Sequence, residues 1–283
     1  RSSDLNHMKG VIMSNFITPN ELLPIMDEVI ILDARGFQDY KRGHIKGAFP
    51  VDIDKDLTGP IGEHGGRHPL PDMEQLAKTF ETFGINENSK VVVYDSWIFL
   101  AGRLWWTLRY MGLKDVRVLS GGIERWVKEG HLLTKDPTPL PTEPTTFNYT
   151  LQCEMTMSRN EVLEASKSGS HVIVDARAPE RYDGSVVDVM DGMTGHIPGA
   201  VNHFYESGYT SEGPRSIKDL ENEFYNEIYQ QKPVVTYCGS GVTACNALLV
   251  MSEAGLNSAL YVGSSSDWVT YDEFPIQTGV ETL

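Results

Sequence analysis

The sequence predicts an α/β protein of two similar domains, each a mainly parallel β-sheet flanked by helices. Three observations predict it: a length of 283 residues, short blocks of sequence that recur in both halves, and apolar runs that alternate with helical patterns. The longest apolar runs have the length of a strand, far from the roughly 20 apolar residues needed to span a bilayer. We therefore expect no membrane partner.

Four blocks of sequence recur in the same order in both halves, which indicates a duplication. The blocks are VIILDAR at Val29–Arg35 and HVIVDAR at His171–Arg177, GHIKGA at Gly43–Ala48 and GHIPGA at Gly195–Ala200, VVVYD at Val91–Asp95 and VVTYC at Val234–Cys238, and the pair Gly121 and Trp126 with Gly263 and Trp268. Three blocks recur 142 or 143 residues apart and one recurs 152 apart. The ten-residue difference indicates an insertion at Asp183–Met193 in the second half.

Strands and helices follow one another within each half. Continuous apolar runs predict strands buried in a parallel sheet, and apolar residues at helical spacing predict helices. The predicted strands are Val29–Leu32, Val91–Tyr94, Val116–Leu119, Val172–Val174, Val234–Tyr237 and Ala259–Val262, and the predicted helices are Leu70–Phe83, Leu100–Met111 and Val242–Ala254.

Four predicted segments divide the chain. Residues 1–12 are polar and are interpreted as a leader or tag outside the fold. Residues 13–134 form the first domain, residues 135–147 a linker stiffened by four prolines, and residues 148–283 the second domain.

The charge and cysteine content limit the partners. The net charge is −15, from 24 Lys and Arg against 39 Asp and Glu, which argues against a basic face for nucleic acid. Three cysteines, an odd number, do not make a disulfide framework and indicate a cytoplasmic protein, although a removed organelle transit peptide would leave no trace. His and Cys residues are too scattered for a zinc site, so neither a metal nor another cofactor is predicted.

The difference between the halves points to the chemistry. Residues that both halves keep are interpreted as scaffold, and these are Asp175, Arg177, His44 and His196. The end of the VVxY strand differs, because Asp95 in the first half is replaced by Cys238 in the second. Ligands bind at the carboxyl ends of strands in open α/β sheets, which makes Cys238 the candidate nucleophile.

The residues after Cys238 predict an anion-binding loop. The small residues Gly239, Ser240 and Gly241 let the backbone curl around the sulfur, and Val242 and Thr243 lead into the following helix. The N–H groups of the loop and of the helix N-terminus favour a thiolate or a persulfide anion. The competing interpretation is a buried structural cysteine before an ordinary strand–helix turn.

A second asymmetry is Arg181, six residues after Asp175, where the first half has Asp39. An arginine found only in the half with the cysteine is a candidate clamp for an anionic donor. The competing interpretation is a surface arginine.

Together these motifs resemble the tandem-domain rhodanese superfamily, from about Phe16 to about Pro275, and the loop CGSGVT resembles that of the 3-mercaptopyruvate sulfurtransferases. The resemblance implies that Cys238 takes sulfur from a small anionic donor as a persulfide, releases pyruvate and passes the sulfur to cyanide, a thiol or a thioredoxin-like acceptor. It also implies a proton relay of Ser240, His68 and Asp54, with His68 lent by the first domain. His68 could instead be a packing histidine at a helix start, and Asp54 a solvated loop residue.

The sequence also departs from that family pattern. Many mercaptopyruvate enzymes carry a second arginine nine residues after the first, where this chain has Met190. Arg67 or Arg103 could replace it. Cys245 is interpreted as a small buried helix residue, with a regulatory bridge as the alternative.

Three other functions remain to be weighed. Thiosulfate as donor would use the same chemistry, although thiosulfate enzymes typically carry basic residues where this chain has Gly239 and Ser240. A non-enzymatic persulfide carrier or interaction module is a further alternative. A Cys-based phosphatase needs an arginine six residues after Cys238, where Ala244 stands.

Overall fold

Each half of the chain folds around its own parallel sheet. The computed structural model describes residues 14–143, 145–224, 229 and 232–280, so the predicted leader at residues 1–12 lies outside the described residues. The first sheet has the strands β1 (Phe16–Ile17), β2 (Ile30–Asp33), β3 (Ala48–Pro50), β4 (Lys90–Tyr94) and β5 (Asp115–Leu119), in the order β1-β5-β4-β2-β3. The helices of this half are α1 (Pro19–Leu22), α2 (Phe37–Arg42), α3 (Met73–Thr82), α4 (Ala101–Tyr110) and α5 (Gly122–Lys128).

The second sheet repeats the arrangement. Its strands are β6 (Val172–Asp175), β7 (Ala200–Asn202), β10 (Val234–Tyr237) and β11 (Ser258–Leu260), in the order β11-β10-β6-β7, with an antiparallel pair β8 (Tyr209–Thr210) and β9 (Gly213–Pro214) beside it. The helices are α6 (Arg159–Ser168), α7 (Pro179–Tyr182), α8 (Ile217–Phe224), α9 (Ala244–Glu253) and α10 (Ser264–Trp268). A parallel bridge from Thr156 to Leu260 takes the place that β1 has in the first half.

The predicted α/β fold with mainly parallel sheets is confirmed, with shifts of a few residues at element ends. The predicted helix from Leu70 begins at Met73, because Pro71 precedes Asp72 and the Asp72 side chain caps the helix by accepting from the N–H of Gln75 at 3.0 Å. The residues Val242 and Thr243 belong to the loop after Cys238, and α9 begins only at Ala244.

The residues that both halves keep form matched buried networks. Arg177 donates to Asp175 at 2.6 Å, and the Tyr237 hydroxyl donates to the same carboxylate at 2.7 Å. In the first half Arg35 and Tyr94 bind Asp33 at the same two distances. His44 and His196 stack on tyrosines and bond to backbone carbonyls. These contacts agree with the interpretation of these residues as scaffold, although Arg177 also lines the cavity described below.

The two halves share one apolar core, which α4 and α9 join. Gly102 of α4 faces Asn246 of α9 so closely that a methyl group at Gly102 would clash with the amide. The Asn246 amide donates to the carbonyl of Phe99 at 3.2 Å. This close crossing brings the loops at the carboxyl ends of β4 and β10 near one another. None of the helices in the described ranges is long and apolar enough to span a membrane.

Candidate active site

Cys238 follows β10 directly and lines a cavity of about 660 Å³. Only 1% of its surface is exposed. Both halves line the cavity: Ile53, Asp54, Arg67, His68, Phe99 and Leu100 come from the first, and Arg177, Ala178, Arg181, Met190, Asp191, Phe204, Tyr205, Cys238, Gly239, Ser240, Val242 and Thr243 from the second. Every residue predicted for the site except Gly241 is therefore found at this cavity.

The segment after β11 fixes the backbone of Cys238. The Cys238 N–H donates to Ser264 Oγ at 3.1 Å, while the N–H and hydroxyl of Ser265 donate to the Cys238 carbonyl at 3.0 and 2.8 Å. Gly241 has a φ of +76°, and a methyl group there would clash with the carbonyl of Val262. Only glycine suits that position, so Gly241 shapes the loop from behind the cavity wall.

The backbone amides of this loop are unoccupied donors. Within the ranges that the structure covers, the N–H groups of residues 239–243 bond to no acceptor. The duplicated loop in the first half shows what such amides bind. There the Asp95 carboxylate accepts from the N–H groups of Phe99 at 2.7 Å, Ala101 at 2.9 Å and Leu100. The Cys238 loop is thus built like a loop that holds an anion.

A buried cation from the first half stands behind this loop. Arg103 is fully buried and donates to the carbonyls of Gly241 at 3.0 Å and His68 at 3.2 Å. No carboxylate lies within ion-pair distance of it among the described residues, and burial lowers the pKa of its guanidinium. Arg103 does not line the cavity, so it does not fit the role of a second clamp on the donor.

Arg181 and Arg67 share a carboxylate at the cavity wall. Arg181 binds Asp188 Oδ2 at 2.6 Å and also Asp191 Oδ2, while Arg67 binds Asp191 Oδ1 at 2.6 Å. Both aspartates belong to the predicted insertion. Met190 between them is exposed, so the side chain at the position of the family's second arginine points largely to solvent.

Neither Asp188 nor Asp191 is predicted from the sequence as a site residue. The available signal is that the predicted insertion carries three aspartates and lies in the half with Arg181. The sequence does not indicate which of these carboxylates turn inward.

The relay residues lie at the same cavity. His68 Nε2 is 3.4 Å from Asp54 Oδ1, and His68 Nδ1 is buried without a partner among the described residues. Burial and the positive charge of Arg67 hold the pKa of His68 below its ordinary value, although Asp54 opposes them. The lowered pKa favours the neutral imidazole of His68. Ser240 is buried in the loop.

Hydrogen bonds between the halves deliver His68 to this place. Just before it, the N–H of Gly65 donates to Asp267 Oδ1 at 2.7 Å and the N–H of Arg67 donates to Ser266 Oγ at 3.1 Å. The first-half loop is thereby tied to the same segment that fixes Cys238.

The remaining cysteines lie apart from this chemistry. Burial raises the pKa of Cys245 to about 12, and its thiol donates to the Gly241 carbonyl at 3.4 Å. Cys245 is thus a protonated thiol in α9, and Cys153 is exposed elsewhere. No group of three or more His, Cys, Asp or Glu suited to a metal ion occurs among the described residues.

Comparison with known proteins matches this architecture. The sequence matches the rhodanese-like domain twice, at residues 18–129 and 158–271. The chain belongs to the rhodanese family. It is 32% identical to the probable 3-mercaptopyruvate sulfurtransferase of Pseudomonas aeruginosa, over 94% of this chain and 99% of that one. It is 34% identical to the thiosulfate sulfurtransferase of Gallus gallus, over 83% of this chain and 81% of that one.

A solved structure of the family agrees. The crystal structure of SseA from Escherichia coli, described as having the rhodanese fold, superposes with a TM-score of 0.79 at 31% identity and covers 89% of this chain and 99% of SseA. The two halves of this rhodanese correspond to the two family matches, and the relatives identify it as an enzyme of the sulfurtransferase type.

Proposed function

We propose that this protein moves sulfane sulfur from 3-mercaptopyruvate to a thiol or cyanide acceptor through a persulfide on Cys238, and releases pyruvate. The observation that carries the proposal is the loop of unbonded amides after Cys238, whose duplicate holds the Asp95 carboxylate with three N–H groups. Such a loop supports an anion on sulfur both before and after the transfer.

Two displacements at sulfur complete the reaction. The Cys238 thiolate attacks the donor sulfur, an S–S bond forms, and the C–S bond breaks with its electron pair moving to the enolate of pyruvate. The acceptor thiolate then attacks the outer sulfur, and the electron pair of the S–S bond returns to Cys238. Electrons balance without an external oxidant or reductant.

His68 manages the proton in this scheme. A neutral imidazole accepts the proton of the donor thiol and returns it to the enolate carbon, so no proton is lost over the first step. Asp54 orients the imidazole through Nε2, and the buried Ser240 hydroxyl extends the proton-transfer path beside the sulfur.

The donor is proposed from the charge of the loop. Gly239 and Ser240 bring no positive charge beside Cys238, which suits a donor with one carboxylate better than the dianion thiosulfate. Arg181, with Arg67 near it, is the proposed contact for that carboxylate. Thiosulfate remains the alternative donor, because relatives named for thiosulfate are about as similar as those named for 3-mercaptopyruvate.

The recessed sulfur restricts the acceptor. With Cys238 only 1% exposed, the acceptor must reach into the cavity, as a small thiol, cyanide or the thiol of a thioredoxin-like protein would. We further propose that residues 148–283 carry the nucleophile while residues 13–134 lend His68 and Arg67. A cytoplasmic location stays a prediction from the cysteine content.

Steady-state kinetics with both donors test the proposal. With cyanide as acceptor, kcat/KM should be higher for 3-mercaptopyruvate than for thiosulfate, and pyruvate should form in equal amount to thiocyanate. Cys238→Ser should abolish turnover, while Cys153→Ser, which changes an exposed cysteine away from the cavity, should not.

A preference for thiosulfate would overturn the donor assignment, and turnover by Cys238→Ser would overturn the mechanism. A Cys238 persulfide that forms once and is never passed on would instead identify a carrier.

A further inference from the structure

The arginines at the cavity are already neutralised by aspartates of the protein. Arg177 binds Asp175 at 2.6 Å and Asp188 at 3.3 Å, while Arg181 binds Asp188 and Asp191. Arg67 binds only Asp191 among the described carboxylates. Three arginines thus face three aspartates, so the cations that should attract an anionic donor are already paired with carboxylates of the protein.

Asp191 has an unusual place among these carboxylates. Its two oxygens are divided between Arg67 and Arg181, one for each guanidinium, which is the geometry of a bound carboxylate ligand. Its side chain is 1% exposed, against 39% for Arg67 and 29% for Arg181. It also packs on the loop itself, since a methyl group at Gly239 would clash with the Asp191 carboxylate.

We propose that Asp191 is a specificity-determining residue that occupies the donor's carboxylate position, as a ligand built into the chain. A donor carboxylate must displace it from Arg67 and Arg181, or bind beside it against its charge. Asp188 does not have this role, because it also pairs with the buried Arg177 and holds the scaffold.

The chain around Asp191 is consistent with displacement. The preceding residues Val187, Val189 and Met190 are exposed, so few apolar contacts hold this part of the insertion. Both arginines remain partly exposed and can be hydrated when the carboxylate leaves. The inference rests on the proposed function, because it concerns the anionic donor of the same site.

Removing the charge of Asp191 tests the proposal. Asp191→Asn and Asp191→Ser in the full chain should each lower KM for 3-mercaptopyruvate at least about tenfold, with kcat within about twofold of wild type. Asp183→Asn is the matched control, because it removes the same charge from the same insertion at a residue that contacts no arginine in the described part of the chain. It should leave both constants unchanged.

The direction of the change separates this role from a positioning role. If Asp191 merely orients the two arginines for the donor, its removal raises KM, and that result overturns the proposal, as does a KM within twofold of wild type. Thermal unfolding of each variant shows whether the fold is intact.

A measurement without any variant covers the case in which neither variant folds. In the wild-type enzyme, replacing the carboxylate of 3-mercaptopyruvate by its methyl ester should reduce kcat/KM less than about tenfold, because Asp191 already occupies the arginines. A loss above about a hundredfold would show that both guanidinium groups are free to bind the donor, and would refute the proposal.

Binding measurements on the inactive variant Cys238→Ser test this inference independently of the proposed function. Pyruvate is titrated calorimetrically into Cys238→Ser and into Cys238→Ser/Asp191→Asn. Tighter binding to the double variant supports the role of Asp191 even if the wild-type enzyme transfers no sulfur from 3-mercaptopyruvate. Equal or weaker binding overturns it, whatever the donor.

Discussion

Replacing Asp95 tests whether the N–H groups of the loop after β4 require a charged acceptor or only an oxygen that accepts their hydrogen bonds. One oxygen of this buried carboxylate accepts from the N–H groups of Phe99, Leu100 and Ala101. In Asp95→Ala all three donors lose their acceptor, and each buried donor left unsatisfied costs about 1–3 kcal/mol. The three donors converge on one small space that a water molecule can partly fill, so we expect a total near the lower end, about 3 kcal/mol.

Asp95→Asn separates the lost acceptor from the lost charge. Asparagine keeps a carbonyl oxygen for the three donors and removes a charge whose burial raises the pKa of Asp95. Among the described residues the other carboxylate oxygen has no partner, so the amide nitrogen displaces no bond and puts one unsatisfied buried group in place of another. Loss of the charge weakens the three hydrogen bonds, while a neutral side chain costs less free energy to bury. Because these effects oppose each other, we expect a change in unfolding free energy below about 1 kcal/mol.

Urea unfolding and calorimetry measure both variants. Asp95→Ala should lower the melting temperature by about 6–12 °C, at about 2–4 °C per kcal/mol, while the exposed control Asp27→Ala should stay within about 0.5 kcal/mol of wild type. The reasoning is refuted if Asp95→Ala costs less than about 1 kcal/mol, or if asparagine is as damaging as alanine. Either result would also remove the comparison on which the anion-binding role of the Cys238 loop rests.

Three further predictions concern groups around Cys238. Because burial holds the pKa of His68 below 6.5, the acid limb of the pH profile of kcat/KM should lie below about pH 6.5. Asp54 opposes that shift, so the acid limb should move to lower pH in Asp54→Asn. A shift of the acid limb to higher pH in this variant contradicts the relay. Cys245→Ala should keep turnover within about twofold, and mass spectrometry of the native enzyme after iodoacetamide at pH 8 should find Cys245 unlabelled, since burial raises its pKa to about 12. Arg103→Met loses two bonds to carbonyls but relieves an unpaired buried cation, so unfolding free energy should change by less than about 2 kcal/mol. The reaction of Cys238 with iodoacetamide should nevertheless slow about tenfold, because a buried cation bound to the loop is gone.

The fold was predictable because its signals are local and repeated. The apolar runs that predict strands and the doubled Asp-Ala-Arg motif depend on residues within one short segment, and the structure has them as buried strands and buried ion pairs. The difference between Asp95 and Cys238 was equally readable, because the two halves serve as controls for one another. The predicted ends of helices were less exact where a capping side chain sets the end, as Asp72 does at the start of α3.

The electrostatics of the site were not predictable from the same signals. The sequence predicts a candidate clamp for an anionic donor at Arg181, and this side chain lies at the cavity, yet two carboxylates of the insertion bind it. Whether Asp188, Asp191 or a neighbouring acidic residue turns inward depends on the path of a segment with no regular secondary structure. Periodicity carries no information about such a path, and neither does residue type, since Asp183 in the same stretch pairs with no arginine among the residues that the structure describes.

The site requires both halves for a physical reason that the duplication makes visible. The nucleophile and its loop belong to the second half, but the carbonyl of Gly241 is bound by Arg103 of the first. The bonds from Gly65 and Arg67 to the segment after β11 bring His68 to the cavity. Each contact joins a side chain of one half to the backbone of the other half. The first half has Asp95 in place of the cysteine, so its contribution is to support the site around Cys238. The ion pair at the cavity also joins the two halves. Arg67 comes from the first half, while Asp191, which pairs with it, comes from an insertion that only the second half has.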